Sequence, residues 1–128
     1  MSTPPSKIDP PECREDLVRK AAASNFKPDF DWISDTEAIR VTGDPSNRGL
    51  TAIEIRELAR DWINGGGLIK CVQEQREGYR DRRHRHYDIT ILPLDGFPNG
   101  LYVYMEICNP DENDPAVNLL NAHPPSSR

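Results

Sequence analysis

The runs His86-Tyr87-Asp88-Ile89-Thr90-Ile91 and Leu101-Tyr102-Val103-Tyr104-Met105-Glu106-Ile107 decide the fold. In an extended chain, successive side chains point to opposite faces. Tyr87, Ile89 and Ile91 then share one face with Leu101, Val103, Met105 and Ile107. His86, Asp88, Tyr102, Tyr104 and Glu106 share the other, and His84 joins them by the same count. The loop Pro93 to Gly100 carries Asp95-Gly96 and Pro98-Asn99-Gly100 as turn signals. It is short enough to join the two strands as an antiparallel hairpin, with His86 and Asp88 towards the Glu106 end. One face is therefore apolar and closes a core. The other carries imidazoles, phenols and carboxylates, the groups that move protons or hold ligands.

Upstream of the hairpin, Leu68 to Glu77 alternates as a further strand. Downstream, the acidic loop Asn109 to Pro115 leads into a short strand, Ala116 to Ala122. Ahead of these strands the period changes from two to helical. Thr51-Ala52-Ile53-Glu54 is a capping box, in which Thr and Glu satisfy each other's backbone N–H groups, with Leu50 and Ile55 as a hydrophobic staple. Ile55, Leu58, Ala59 and Trp62 continue the helix to residue 64, where Gly65-Gly66-Gly67 stops it. These glycines follow a helix and lack a Gly-Lys-Ser/Thr sequel, so they are no phosphate loop. Pro11 to Ser24 also turns helical, with Leu17, Val18, Ala21 and Ala22 as its stripe. Ser34-Asp35-Thr36-Glu37 is a second capping box, and Phe26, Phe30, Trp32 and Ile33 are packing residues.

Helices first and then a strand meander predict an α+β domain over residues 12–123. Amino-terminal helices are expected on one face of a mainly antiparallel four-stranded meander. Residues 1–11 are expected to be a disordered or loosely packed Pro-rich arm, and residues 124–128 a frayed tail. Ile55, Leu58, Trp62, Ile89, Ile91, Leu101, Val103 and Met105 are expected to share the core, with Trp62 largely buried.

The chain has 128 residues, 12 prolines and a net charge of −5. A negative total argues against a generic nucleic-acid coat, which needs positive potential. The charge is unevenly spread, however. Between Lys70 and His86, six Lys and Arg residues face three acids, whereas Asp95 to Asp114 holds five acids and no base. No run approaches the roughly 20 apolar residues of a membrane span, and the amino terminus has no apolar signal segment. Cys13, Cys71 and Cys108 are widely spaced and form no Cys-x-x-Cys pair. A disulfide framework or zinc knuckle is not expected, Cys71 and Cys108 are read as packing residues, and a reduced cytoplasm is the simplest location.

Three chemistries fit the polar face. Metal-free cleavage of RNA needs a base for the 2′-hydroxyl proton, an acid for the leaving oxygen and cations for the phosphate. His84, His86, Tyr102, Tyr104 and Glu106 are the candidate proton carriers, and Arg80, Arg82 and Arg83 the phosphate contacts; no cofactor is required. Alternatively, His84, His86 and Asp88, completed by Glu106 or His123, could bind a metal. His84 and Asp88 would lie about 13 Å apart along a strand, so only adjacent members of the trio could share one ion. Thirdly, the basic strand pair and the Tyr102 and Tyr104 rings could form a binding module for nucleic acid or an acidic protein. Against all three stands an ordinary solvated sheet surface.

The element order resembles the RelE-like superfamily of small bacterial ribonuclease toxins, which includes RelE and MqsR. The resemblance covers about residues 48–125. It rests on Arg48-Gly49-Leu50-Thr51 opening a helix, the Gly65-Gly66-Gly67 break, the Arg-, His- and Tyr-rich strand and Gly100-Leu101-Tyr102-Val103. A closing strand into Asn121-Ala122-His123-Pro124 completes it. It implies an RNA substrate, chemistry on an open sheet face, and neutralisation by an antitoxin-like protein partner. The net negative charge differs from the basic character usual in that superfamily and leaves a purely protein-binding descendant open.

Overall fold

A computed structural model of the chain describes residues 7–125. Helix α1 (Glu15–Ala23) buries Leu17, Val18, Ala21 and Ala22, the stripe expected of it. A short 3₁₀ turn then leads into strand β1 (Phe30–Trp32). Helix α2 (Asp35–Gly43) opens where the Ser34 hydroxyl accepts the Glu37 N–H. Helix α3 (Ala52–Asn64) has the full capping box of Thr51 and Glu54. The strands β2 (Lys70–Gln73), β3 (Arg85–Ile91), β4 (Leu101–Asn109) and β5 (Ala116–His123) follow.

The sheet runs β1-β5-β4-β3-β2. Strands β2 to β5 are the expected antiparallel meander. The four-stranded expectation is nonetheless corrected, because β1 pairs parallel to β5 at its far edge and makes a five-stranded mixed sheet. Three residues are too few to display a period, so Phe30–Trp32 could not be read as a strand. Parallel pairing also needs a long crossover, and here α2, α3 and the strands β2 to β4 all lie between β1 and β5.

The hairpin of β3 and β4 closes as expected, with Ile89 opposite Val103 and Ile91 opposite Leu101. Gly100 makes the closure possible. Its φ is +83°, and a Cβ there would meet the Ile91 carbonyl oxygen at 2.8 Å. Ile55, Ile89, Ile91, Leu101, Val103 and Met105 are all in the core. Trp62 is not largely buried: the inward stripe of α3 is Ala52, Ile55, Arg56, Ala59 and Ile63, with Leu58 and Trp62 flanking it. The indole N–H needs a polar partner and finds it at the rim, donating to the Leu68 carbonyl at 3.1 Å. Trp32 is likewise half-buried, its indole N–H donating to the Ala52 carbonyl at 2.8 Å.

Two features tie the amino-terminal segment to the β3 side of the sheet. Asp9 is buried, and its carboxylate accepts the backbone N–H groups of His84 and Arg85 at 2.9–3.0 Å. Cys13 and Cys71 form a disulfide, with Cα atoms 6.0 Å apart, which overturns the expectation that the cysteines stay unpaired. Their separation of 58 residues hides the partnership from any spacing rule. Residues 1–6 of the arm and 126–128 of the tail lie outside the described residues. No helix among the described residues is long and apolar enough to cross a membrane.

Candidate functional site

The face of the sheet opposite the helices carries the polar members of β3 and β4. Cross-strand register sets Asp88 against Tyr104 and Thr90 against Tyr102. On one side, β2 adds Lys70 opposite Asp88 and Val72 opposite His86. On the other, β5 adds His123 opposite Tyr102, Asn121 opposite Tyr104 and Asn118 opposite Glu106. Between Leu119 and Asn121 the register slips by one residue, with Tyr104 opposite Asn121, Met105 opposite Leu119, and Leu120 bulged between them. A bulge of this kind changes which face the following residues take. Leu119 is therefore buried in the core, while Asn121 and His123 stand opposite the tyrosines on the open face.

Four rings form a row there. His86 and Tyr104 have centroids 6.1 Å apart, Tyr104 and His123 5.4 Å, and Tyr102 and His123 6.1 Å. These are edge-on and tilted separations typical of favourable aromatic pairs. Burial raises the Tyr104 phenol above its ordinary value, and the Asp88 carboxylate adds to the effect, so the group stays protonated.

His86 is the centre of the polar network. Its Nδ1 lies 3.5 Å from Glu74 Oε2 and its Nε2 3.4 Å from Asp88 Oδ1. Both are too long for tight hydrogen bonds. His86 Nδ1 and Asp88 Oδ1 are buried, and neither has a hydrogen-bond partner among the described residues. Glu74 is fixed from the other side. Arg83 Nη1 donates to its Oε1 at 2.6 Å and Arg76 Nη2 to the same oxygen at 2.9 Å. Burial pushes the Glu74 carboxyl up, but the hydrogen bonds from Arg76 and Arg83 outweigh it and hold the group at about 2.

Beside this network a cavity of about 520 Å³ opens. Tyr102, Tyr104, Asp88, Thr90 and Lys70 form its sheet wall, and Trp62, Leu68 and Leu92 close it with apolar surface. Leu68 and Leu92 are 77% and 47% exposed, so the cavity is bordered by uncovered hydrocarbon. Volume and mixed lining both match small-molecule and base-sized pockets.

The expected site residues divide accordingly. His86, Tyr102 and Tyr104 come together. Glu106 lies on the face but is already engaged, accepting from Arg83 Nε at 2.7 Å and from Asn118 at 3.4 Å. Arg83 is 3% exposed and locked between Glu74 and Glu106, so it is a structural cation with no free edge for a phosphate. Arg80 and Arg82 are exposed in the loop between β2 and β3, and their side chains make no hydrogen bond or ion pair with any described residue. His84 precedes β3 and contributes its backbone N–H to Asp9; its ring joins none of the aromatic or carboxylate contacts of the face. No group of three or more His, Cys, Asp or Glu side chains among the described residues is placed to hold a metal ion.

Sequence reasoning missed Glu74, Lys70, Trp62 and Leu68 as parts of the site. Glu74 falls inside the strand expected over Leu68 to Glu77 but sits one residue past the observed β2, where it is buried among arginines, and Trp62 enters by leaving the core. Cys108, the free cysteine, is half-buried, and burial pushes its thiol up to about 11, so it is no nucleophile at neutral pH. No protein-family model, curated protein or solved structure matches the chain.

Proposed function

We propose that the open sheet face binds single-stranded RNA and cleaves it by metal-free acid/base chemistry, as a RelE-like module would. The observation that carries this reading is the His86 imidazole, held between two carboxylates and against the ring of Tyr104, which with Asp88 lines the cavity. With its Nδ1–H directed at Glu74, the ring offers Nε2 as the base. Glu74 is then a positioning residue, kept ionised by Arg76 and Arg83. His86 takes the proton of a ribose 2′-hydroxyl, and the 2′-oxygen attacks the adjacent phosphorus. The bond to the 5′-oxygen breaks, and that oxygen receives a proton from Tyr104, whose raised pKa keeps the proton available. The products are a 2′,3′-cyclic phosphate and a 5′-hydroxyl. Arg80 and Arg82 are the cations left to meet phosphate.

On this reading the protein works in the cytoplasm, beside its substrate, and an antitoxin-like partner would act by covering the same face. Disulfides seldom persist in a reducing cytoplasm, so the reading requires a fold that holds with Cys13 and Cys71 as thiols. A second reading is binding without cleavage. It is favoured by the mutual neutralisation of Arg83 and Glu106, which removes one expected cation and one expected proton carrier from service.

The test is incubation of the purified protein with total RNA in EDTA, beside a His86→Ala variant. Cleavage that persists in EDTA and is lost in the variant supports the enzyme. Intact RNA with salt-sensitive binding selects the binding module, and RNA neither bound nor cut overturns both.

A further inference from the structure

We infer that Tyr79 is a second RNA subsite, a stacking platform for one unpaired base of the strand, which deepens the RNA-directed reading and rests on it. Tyr79 lies in the loop between β2 and β3 and is 43% exposed. Its position is nonetheless fixed. The backbone closes a turn on either side of it. Its N–H donates to the Arg76 carbonyl at 3.0 Å, and its carbonyl accepts the N–H groups of Arg82 and Arg83 at 2.9 and 3.2 Å. The guanidinium carbons of Arg76 and Arg83 stand 5.0 and 5.3 Å from the ring centroid, within cation–π range. Both groups donate to Glu74 Oε1, at 2.9 and 2.6 Å. Guanidiniums set squarely over opposite faces of the ring would stand about 10 Å apart, farther than two donors to one oxygen atom can. The pair therefore does not sandwich the ring, and the exposed surface stays open to a ligand.

A rigid aromatic ring beside free cations is the combination that holds single strands. The ring stacks on a base of any identity, and the cations follow the phosphates. Arg80 and Arg82 are those cations; they follow Tyr79 in the chain, and their side chains make no hydrogen bond or ion pair with any described residue. Because the ring is already ordered, stacking a base on it costs little further conformational entropy. The ring is also close to the reacting groups. Arg76, which packs against it, donates from Nε to Glu74 Oε2 at 3.0 Å, and that same oxygen lies 3.5 Å from His86 Nδ1. The stacked base therefore belongs to a nucleotide near the one whose 2′-hydroxyl meets His86. Every base has a π-face, so the subsite adds affinity without choosing a sequence.

The experiment is fluorescence anisotropy of the full chain in EDTA with a labelled oligoribonucleotide whose riboses are 2′-O-methylated, so that it binds without being cut. Tyr79→Phe keeps the ring and should hold affinity within about twofold, whereas Tyr79→Ala should weaken it about tenfold or more. The slope of log affinity against log salt should be the same in Tyr79→Ala as in the native chain, because no phosphate contact is lost. Calorimetry with inorganic polyphosphate, which has no bases, should show no difference among the native chain and the two variants. Tyr79→Ala binding the strand as tightly as the native chain, or Tyr79→Phe losing as much as Tyr79→Ala, overturns the inference and leaves the RNA reading standing. So does a shallower salt slope or weakened polyphosphate binding in Tyr79→Ala, which would make the ring a support for the arginines. An oligoribonucleotide neither bound nor cut by the native chain overturns the RNA reading, and the subsite with it.

Discussion

Arg83 Nε donates to Glu106 Oε1 at 2.7 Å while the same guanidinium donates to Glu74 Oε1 at 2.6 Å, so one cation joins the loop after β2 to the middle of β4. The side chains are 4%, 12% and 0% exposed, and charges so far from water are tolerated only when paired. Removing the cation leaves buried Glu74 to Arg76 alone and Glu106 to the long contact from Asn118. Arg83→Met is expected to lower unfolding stability by about 3–5 kcal/mol, measured by urea denaturation. A loss under about 1 kcal/mol would mean that the triad is solvated and does not organise the face.

Glu74 gives the same triad a pH signature. Its carboxyl is held at about 2 against an ordinary 4.5, a depressed folded-state value. Its contribution is therefore complete above the unfolded value and is lost as pH falls from about 4.5 towards 2. The loss should be on the order of 3 kcal/mol. Unfolding free energies measured across that range in the native protein and in Glu74→Gln should converge at the acid end. Parallel curves would show that Glu74 does not carry the acid limb.

The bridge between Cys13 and Cys71 closes a separation of 58 residues. Cross-linking so long a loop restricts the unfolded chain, and losing it should cost about 2–4 kcal/mol. Cys13→Ser, or reduction, is expected to lower the unfolding free energy from urea denaturation by that amount and leave the far-UV circular dichroism unchanged. Thiol titration of the unfolded protein should give one group before reduction, Cys108, and three after it. Three groups before reduction would place the pair in the dithiol form.

Most of the meander was legible because β3 and β4 are long enough to show their period. Tyr87 through Ile91 and Leu101 through Ile107 alternate without a break, so the open face and the hairpin followed from counting. The capping box at Thr51 fixed the start of α3 for the same reason: its chemistry is local. What could not be read depends on distant partners. The bulge at Leu120 decides whether His123 faces the tyrosines or the core, yet nothing within β5 announces it. Arg83 reads as a surface cation until Glu74 and Glu106 are known to flank it. Trp62 satisfied the helical period as well as Ile63 did, and only packing on the sheet chose between them.

Arg80 and Arg82 are the cations that remain free, and they separate RNA binding from structural support. Both lie exposed in the loop between β2 and β3, and their side chains make no hydrogen bond or ion pair with any described residue; the backbone N–H bonds of Arg80 to Arg76 and of Arg82 to Tyr79 survive an alanine, so replacing the side chains removes no contact that holds the fold. The double variant Arg80→Ala/Arg82→Ala is expected to keep its denaturation midpoint. If each arginine meets one phosphate of a single strand, each releases condensed counterions on binding. The slope of log affinity against log salt should then become shallower by about 1.4 for the pair, since each contact on single strands contributes about 0.7. Fluorescence anisotropy with a labelled oligoribonucleotide at several salt concentrations measures that slope directly. An unchanged slope with unchanged affinity would put the phosphate path elsewhere on the face, and a lowered midpoint would mean that the loop is part of the fold's support.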